Sequence, residues 1–453
     1  MTKLKLKEKV AYGAGDFGNG FMFDLGQAYL LKFYTDICGI SGIAAGGVFL
    51  FTKIFDAFMD PIAGSWIDKR KASRNGKFKP VMFFSSIILA ILTVVTFLTP
   101  DTSVQGKLIF AYATYMAWGV LYSFTNVPYG SLGASMTQNV QERTQLASFR
   151  QAGSLSALLI TGVVFMPLVS LFSSERIGYP VVAGIMSLVG VLAFFFTYRV
   201  TKEVVPIHEQ GKITAKDLIR TITSNKPLLV LILMTVFSIS AYNIKTAMLI
   251  YFCQYNLGDV RLMAYINFVI IGCSVVGISI LPWLVKIFGK KKAALLGFSI
   301  SIVADIINFM LPANPISFTI LASIAFVGIS IPNGITWAFV SDVIDYGEWK
   351  TGQRNAATTY AAFNFSRKIA QSLSGFASGI GLTLVGYIPH VQQSTTALLG
   401  IKSLLMLYPV IALSIAACIL ALLYFLNDKQ YNQIVDELQQ RQLANQSEIA
   451  ANN

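Results

Sequence analysis

Long apolar stretches separated by shorter polar ones run through the whole chain. Apolar windows of suitable length begin near residues 10, 42, 80, 108, 145, 179, 227, 262, 293, 316, 356 and 400. At about 1.5 Å per residue, each window is long enough to cross roughly 30 Å of hydrocarbon as a helix. The pattern therefore predicts an all-α integral membrane protein with twelve transmembrane helices.

The longest polar connection divides these helices into two groups of six. We predict an N-terminal six-helix bundle over residues 1–200, a cytoplasmic linker over 201–226, a C-terminal six-helix bundle over 227–426 and a cytoplasmic tail over 427–453. The halves echo each other, since Arg150-Gln151-Ala152-Gly153-Ser154-Leu155-Ser156 recurs with one insertion as Arg367-Lys368-Ile369-Ala370-Gln371-Ser372-Leu373-Ser374. Such an echo is typical of transporters built from two pseudo-symmetric repeats.

Composition and the placement of charge narrow the class of protein. Hydrophobic residues make up 55% of the 453 residues and charged residues only 13%, which excludes an ordinary soluble protein. The net charge of +13 does not indicate nucleic acid, because Lys and Arg cluster in alternate connections between the apolar windows. By the positive-inside rule we expect both termini to be cytoplasmic. We expect a monomer in the plasma membrane, with the lipid bilayer as its environment.

The second window carries three charged residues. Lys53, Asp56 and Asp60 are spaced i, i+3 and i+7, so they share one helix face. A charge at mid-bilayer costs on the order of 2.5 to 3.5 kcal/mol, and such residues usually face a cavity or an ion path. The alternative is a buried salt bridge that only locks helices together, but one lysine cannot neutralise two aspartates. We predict a cation-coupling site here.

Polar residues in the first window predict a wall that binds hydroxyl groups. Asp16, Asp24 and Gln27 lie on one face of that helix. Carboxylates accept hydrogen bonds from vicinal hydroxyl groups, and amides accept or donate them. For Asp16, close to the cytoplasmic end, helix capping or a solvated vestibule is the alternative.

Further candidates for substrate binding lie on later helices. Arg150 in the fifth window requires a carboxylate or a substrate as partner for its charge. We predict substrate binding, and the alternative role is an ion pair at a cytoplasmic gate. The spacing of Asn364, Lys368 and Gln371 gives the eleventh helix one polar face, and Lys368 is a plausible mobile partner of the second-window aspartates. The remaining candidates are Asn126, Tyr129, Asn333 and Trp337.

The sequence contains no nucleophile triad, metal-ligand cluster or nucleotide-binding loop, so we predict neither an enzyme nor a cofactor. Two aspartates one helical turn apart repel each other when both are ionised, and a proton or a monovalent cation relieves the repulsion. Binding of that ion would favour the conformation in which the substrate pocket is formed. The prediction is solute:cation symport by alternating access of the two halves.

Four motifs carry a resemblance to a known family. They are Phe55-Asp56-Ala57-Phe58-Met59-Asp60, Asn75-Gly76-Lys77-Phe78-Lys79-Pro80, Asn126-Val127-Pro128-Tyr129-Gly130-Ser131-Leu132 and Asp342-Val343-Ile344-Asp345-Tyr346-Gly347-Glu348. With them the whole chain resembles the glycoside-pentoside-hexuronide:cation symporters of the major facilitator superfamily, which are relatives of the melibiose carrier. Within that family it looks most like transporters of xylosides such as isoprimeverose, with the glucuronide transporters next.

The resemblance implies roles for individual residues. It puts Asp56 and Asp60 at cation-site positions, Lys53 at the neighbouring basic position and Ser123 at a nearby hydroxyl position. Asn126, Arg150 and Lys368 fall at sugar-site or coupling positions. The melibiose carrier has an asparagine where this chain has Met59, so we expect protons rather than sodium.

Differences between this sequence and the melibiose carrier also limit the expected substrate. Gly20 and Asn126 stand where the melibiose carrier has sugar-binding carboxylates, and Gly130 stands where it has a tryptophan, so galactoside specificity is not carried over. The expected function is proton-coupled symport of xylosides, with sodium as the other coupling ion considered. A glucuronide or hexuronide symporter, an uncoupled sugar facilitator and an integral membrane enzyme are the alternatives.

Overall fold

The structure, a computed structural model, describes residues 4–70, 73, 75–137, 139–204, 215–352, 356–426 and 428–451. Within these ranges the regular secondary structure is helical, and the β-type pairing found there is one isolated bridge between Ser73 and Gly76. The predicted all-α fold is therefore confirmed. Residues 205–214 of the predicted linker lie outside the described residues.

The described helices follow the predicted windows closely. They are α1 (Leu6–Lys32), α2 (Gly42–Lys69), α3 (Lys79–Thr96), α4 (Val104–Met136), α5 (Val140–Val169), α6 (Glu175–Val200), α7 (Ala215–Ser224), α8 (Lys226–Tyr251), α9 (Leu262–Ser279), α10 (Leu281–Phe288), α11 (Lys290–Met310), α12 (Pro315–Thr351), α13 (Ala356–Leu384), α14 (Thr395–Lys402), α15 (Tyr408–Leu422) and α16 (Asp428–Ala451). Three five-residue π-helical segments, at Phe33–Ile37, Phe252–Asn256 and Ser403–Leu407, continue α1 and α8 and join α14 to α15.

Among the described residues, ten helical spans are long and apolar enough to cross a membrane. The two other predicted spans coincide with α1, which has 27 residues, and α13, which has 29. Both are long enough to cross, but their polar faces lower their mean hydropathy. The helices are thus consistent with twelve membrane crossings.

The chain forms two compact units. The first contains Met1–Lys212, Asn243–Phe268 and Ser372–Leu405, and the second contains Ile213–Tyr242, Val269–Gln371 and Met406–Asn453. The division at residues 1–200, 201–226, 227–426 and 427–453 follows sequence position instead, and it stays a prediction.

Side-chain caps fix where several helices begin. At the start of α8 the side-chain oxygen of Asn225 accepts a hydrogen bond from the backbone N–H of Leu228 at 3.1 Å, which satisfies a donor that the helix itself leaves unpaired. N-cap residues make the same kind of bond at five other described helix starts. These N-cap residues are Ser41, Ser103, Asn139, Asn314 and Ser394.

Glycines let α1 approach α5 closely in the first unit. A Cβ atom at Gly153 would lie 2.1 Å from the carbonyl oxygen of Gly13, and one at Gly13 would lie 2.5 Å from that of Phe149. Membrane helices that lack a hydrophobic driving force associate through such small-residue contacts. This packing holds the polar face of α1 at a fixed distance from Arg150 on α5.

Glu203, just after α6, holds the start of α3. Its carboxylate accepts hydrogen bonds from the backbone N–H groups of Lys77, Phe78 and Lys79 at 2.7, 2.9 and 2.9 Å. An anion at a helix N-terminus satisfies the unpaired donors and interacts favourably with the helix dipole. The contact joins the α2–α3 connection to the end of α6.

Candidate functional site

Lys53 and Asp56, two of the three charged residues predicted on one face of α2, are buried within the first unit, and Asp60 is half-buried. Lys53 Nζ lies 3.8 Å from Asp56 Oδ2, and their side chains are 6% and 4% exposed. A buried ion pair is stable only when further contacts offset the loss of hydration. The surroundings of Lys53 supply such contacts.

Three aromatic rings surround the Lys53 ammonium, and we call them the aromatic cage. Nζ lies 5.0 Å from the ring centroid of Phe23, 5.6 Å from that of Tyr115 and 5.4 Å from that of Trp118. The Trp118 indole N–H donates to Thr93 Oγ1 at 3.0 Å, which fixes the ring. Each desolvated cation–π contact is worth up to about 2 kcal/mol, so the cage compensates part of the cost of burying the charge.

The two aspartates on α2 have different neighbours on α4. The hydroxyl of Ser123 donates to Asp60 Oδ1 at 2.6 Å. Asp56 instead lies against Gly119, where an added Cβ would stand 1.7 Å from Asp56 Oδ1. The structure therefore brings together the predicted group of Lys53, Asp56, Asp60 and Ser123.

The first-unit candidates for sugar binding form a second polar group. The Arg150 guanidinium lies 3.4 Å from Asp16 Oδ2 and 5.1 Å from the centroid of the Tyr129 ring. Asn126 Oδ1 accepts a hydrogen bond from the side-chain amide of Asn19 at 3.1 Å. Sequence reasoning missed Asn19, although it lies one turn from Asp16 on α1.

Other candidates of the first unit lie apart from that group or are engaged in packing. Tyr129 is fully buried, and its hydroxyl donates to the carbonyl oxygen of Tyr12 at 2.7 Å. The side-chain amide of Gln27 donates to Asn243 Oδ1 at 3.3 Å. Asp24 is half-buried on the same helix. Sugar contacts by these residues stay predictions.

The second unit carries its own group of candidates. Ser238 donates to Asn333 Oδ1 at 3.1 Å. The Trp337 ring is 39% exposed and stacks on Tyr360 with centroids 5.5 Å apart. The Arg367 guanidinium lies 5.0 Å from the Trp337 centroid. Asn364, Lys368 and Gln371 are half-buried on α13.

A contact between an arginine and an aromatic ring occurs in each of the two units, and in each unit the arginine belongs to the repeated segment. Arg150 lies over the ring of Tyr129, and Arg367 lies over the ring of Trp337. These two arginines open the two copies of the repeat, and each aromatic partner lies on a long helix that contains a proline. The geometry thus supports the internal repeat that the sequence indicated.

A buried polar cluster that the sequence pattern did not predict lies at the end of α1. Lys32 and Asp36 form an ion pair whose side chains are both 0% exposed, and the Lys32 ammonium also donates to the amide oxygen of Gln254. The Tyr387 hydroxyl donates to Asp36 Oδ1 at 2.7 Å, and burial raises the pKa of Tyr387 so that it stays protonated. We call these four residues the Lys32 cluster.

The Lys32 cluster is built on two matching π-helical segments. Phe33–Ile37 is followed by Gly39 with φ 69°, and Phe252–Asn256 is followed by Gly258 with φ 82°. The left-handed conformation favours glycine at both positions. The charges at i and i+4 were visible in the sequence, but the partners come from residues more than 200 positions away.

Comparisons with known proteins identify the family of the chain. A family model described as "MFS/sugar transport protein" matches residues 11–428. An uncharacterized symporter, YjmB, of Bacillus subtilis (strain 168) is 60% identical over 97% of this chain and 96% of its own length. A putative sulfoquinovose importer of Salmonella typhimurium is 38% identical over 100% and 96%. An isoprimeverose transporter of Lactiplantibacillus pentosus is 31% identical over 96% and 91%.

Solved structures give the same fold. A bacterial homolog of the human lysosomal transporter Spinster superposes with a TM-score of 0.69 at 14% identity, covering 95% of this chain and 97% of that one. The predicted major facilitator architecture and the resemblance to its sugar symporters are therefore confirmed.

Proposed function

Since this chain belongs to the MFS/sugar transport protein family, whose members are membrane transporters and not enzymes, we propose that it takes up a sugar by proton-coupled symport. The observation that carries the proposal is the group of buried Lys53, Asp56 and Ser123 with half-buried Asp60 inside a membrane-spanning region. Ionisable residues in such regions are rare and usually mark ion pathways.

Coupling follows from the charge balance of this group. The group contains two carboxylates and one ammonium, and a proton that binds to one carboxylate changes the net charge of the group. Proton binding then favours one of the two conformations of an alternating-access cycle, and the sugar favours the same one. Lys368 is a further candidate for this coupling.

The proton is favoured over sodium as the coupling ion. Met59 lies next to Asp60 on the same helix, and its thioether is a weak acceptor. A hard alkali cation prefers several oxygen ligands, whereas a proton requires only one carboxylate oxygen. A proton therefore fits the residues at this site better.

An acidic sugar is the substrate class that the geometry supports best. The side chain of Arg150 is 37% exposed beside Asp16, and a carboxylate or sulfonate group would pair with it more strongly than a hydroxyl group. The putative sulfoquinovose importer is named for a sulfonated sugar and is 38% identical to this chain. This favours a hexuronide, a glucuronide or a similar acidic sugar.

Xylosides such as isoprimeverose are the second candidate. Asp16, Asp24 and Asn126 are good partners for the hydroxyl groups of a neutral disaccharide. The isoprimeverose transporter at 31% identity is a relative with such a named substrate. Gln27, Tyr129, Asn333, Trp337, Asn364 and Gln371 complete the proposed sugar-contacting set.

We also propose that both termini are cytoplasmic and that the protein acts as a monomer. The basic connections on one side of the spans support cytoplasmic termini, and a monomer suffices for alternating access within one chain. Fusion of a reporter to each terminus tests the orientation, and an extracellular signal from either would contradict it.

Uptake by vesicles from cells expressing the protein tests the coupling. Asp56→Asn and Asp60→Asn should abolish accumulation against a gradient while sugar exchange between equal concentrations persists. Asp101→Asn, at an exposed loop position, is the matched control. Accumulation by both variants would contradict coupling at these residues. Accumulation by the wild type after an uncoupler would indicate another driving ion, and wild-type uptake that only equilibrates the sugar would indicate no coupling.

The same vesicles distinguish the substrates. Labelled hexuronates, glucuronides, xylosides and galactosides are compared at equal concentration under one proton gradient. Saturable uptake of an acidic sugar that isoprimeverose does not inhibit would support the acidic-sugar proposal. Saturable uptake of a xyloside that an acidic sugar does not inhibit would support the xyloside proposal. Saturable uptake of none of these sugars would contradict both.

A further inference from the structure

The aromatic cage and the Asp56 carboxylate together enclose the Lys53 ammonium. Three ring centroids lie 5.0 to 5.6 Å from Nζ, and one carboxylate oxygen lies at 3.8 Å. The rings come from α1 and α4, and the lysine comes from α2. Lys53 is only 5% exposed, so the cage holds a cation away from water.

The rings are held by contacts that do not involve Lys53. Trp118 stacks on Tyr115 with centroids 5.4 Å apart and on Tyr122 with centroids 5.3 Å apart. The hydrogen bond from the Trp118 indole to Thr93 fixes the same ring at its edge. The cage should therefore keep its shape when the lysine side chain is shortened.

The chemistry of the cage selects organic ammonium groups. Aromatic faces attract cations through their quadrupole, and sites of several rings with a nearby carboxylate bind alkylammonium groups such as choline or methyl-lysine. An alkali ion prefers oxygen ligands and gains less from ring faces. The cage is thus a site for an ammonium group attached to a short alkyl chain.

We propose that the cage is an alkylammonium site that the chain fills with its own Lys53. The tethered cation neutralises Asp56 permanently, and Asp60 with its Ser123 partner then receives the transported cation. This second statement rests on the proposed symport function and predicts one cation per sugar. The first statement concerns binding alone and stands without transport.

Binding of methylammonium to Lys53→Ala in detergent tests the cage. Shortening the lysine empties the site, and methylammonium chloride should then raise the Tm saturably and change the tryptophan fluorescence of the protein. We expect the affinity to be about tenfold higher than in Lys53→Ala/Trp118→Leu, which lacks one face of the cage. Equal concentrations of sodium chloride control for ionic strength, and wild-type protein should show no saturable response.

Equal binding by Lys53→Ala, the double variant and the wild type would overturn the proposal. If Lys53→Ala is not recovered folded, methylammonium present during solubilisation should restore it, and failure to do so would also overturn the proposal. Lys53→Arg keeps the charge and should fold without binding methylammonium.

The number of protons per sugar tests the second statement separately. In wild-type proteoliposomes, a fixed sugar gradient is opposed by an increasing pH gradient until net sugar flux stops. The pH gradient at that point gives the number of protons transported per sugar, which should be one. A ratio of two would overturn the tethered-cation account of Asp56 even if symport itself is confirmed. Absence of any proton coupling would refute the proposed function while leaving the methylammonium result to decide the cage.

Discussion

Gly119 on α4 lies directly against Asp56 on α2. A Cβ atom at position 119 would stand 1.7 Å from Asp56 Oδ1 and 2.6 Å from its carboxyl carbon. The close approach of the two helices at this point therefore depends on the absence of a side chain. It also fixes where the Asp56 carboxylate sits relative to Lys53.

Gly119→Ala should impair coupling because the new methyl group forces Asp56 away from Lys53. A displacement of about 1 Å at such a site costs on the order of a hundredfold in rate. We expect proton-driven uptake to fall by roughly that factor, with exchange of sugar reduced far less. Gly272→Ala, on α9 and with no atom within 4 Å of its added Cβ, is the matched control. Equal uptake by the two variants would contradict this account.

Arg150→Gln distinguishes the two substrate classes. Loss of a charge-assisted pair costs about 1.5 to 3 kcal/mol, or roughly ten- to hundredfold in affinity for an acidic sugar. The affinity for a neutral xyloside should change much less. Arg367→Gln, at the equivalent position of the second unit, controls for the general loss of an arginine over an aromatic ring. Competition binding measured in detergent reports both affinities, and equal losses for the two sugars would favour the xyloside.

Asp36→Asn should destabilise the protein strongly. The substitution leaves the buried Lys32 ammonium without its charged partner, and breaking a buried pair on one side costs about 3 to 5 kcal/mol. The double variant Lys32→Met/Asp36→Leu removes both charges and should recover much of that loss. Thermal unfolding in one detergent measures all three proteins. A double variant less stable than Asp36→Asn would show that the pair itself provides the stability.

Cys38 should react slowly with thiol reagents at neutral pH. Burial raises the pKa of its thiol to about 11, so at pH 8 about one molecule in a thousand carries the thiolate. Its reaction with a membrane-impermeant methanethiosulfonate should accelerate about tenfold per pH unit between pH 8 and 10. The measurement uses a variant with Cys253→Ala, Cys273→Ala and Cys418→Ala. A rate that levels off near pH 9 would indicate an ordinary, exposed thiol.

The sequence determined the local features of the fold and the site. The windows located the helices, and the i, i+3 and i+7 spacing placed Lys53, Asp56 and Asp60 on one face because helical geometry depends only on neighbours along the chain. Family resemblance put Ser123 at a nearby hydroxyl position, and the structure shows that its hydroxyl donates to Asp60. The structure adds that both aspartates lie against α4.

Contacts between distant residues could not be predicted in the same way. Phe23, Tyr115 and Trp118 are separated from Lys53 by 30 or more positions and resemble ordinary packing residues, so the aromatic cage had no local signal. Asp36 and Tyr387 meet across 351 positions. Such contacts depend on how helices pack, which a periodic pattern does not specify.

Sugar uptake by proteoliposomes under separately imposed gradients tests the central claim most directly. A proton gradient alone, inside alkaline, should drive accumulation of an acidic sugar above its external concentration, and a sodium gradient at equal pH should not. Accumulation driven by sodium alone, or uptake that only equilibrates under either gradient, would contradict proton-coupled symport.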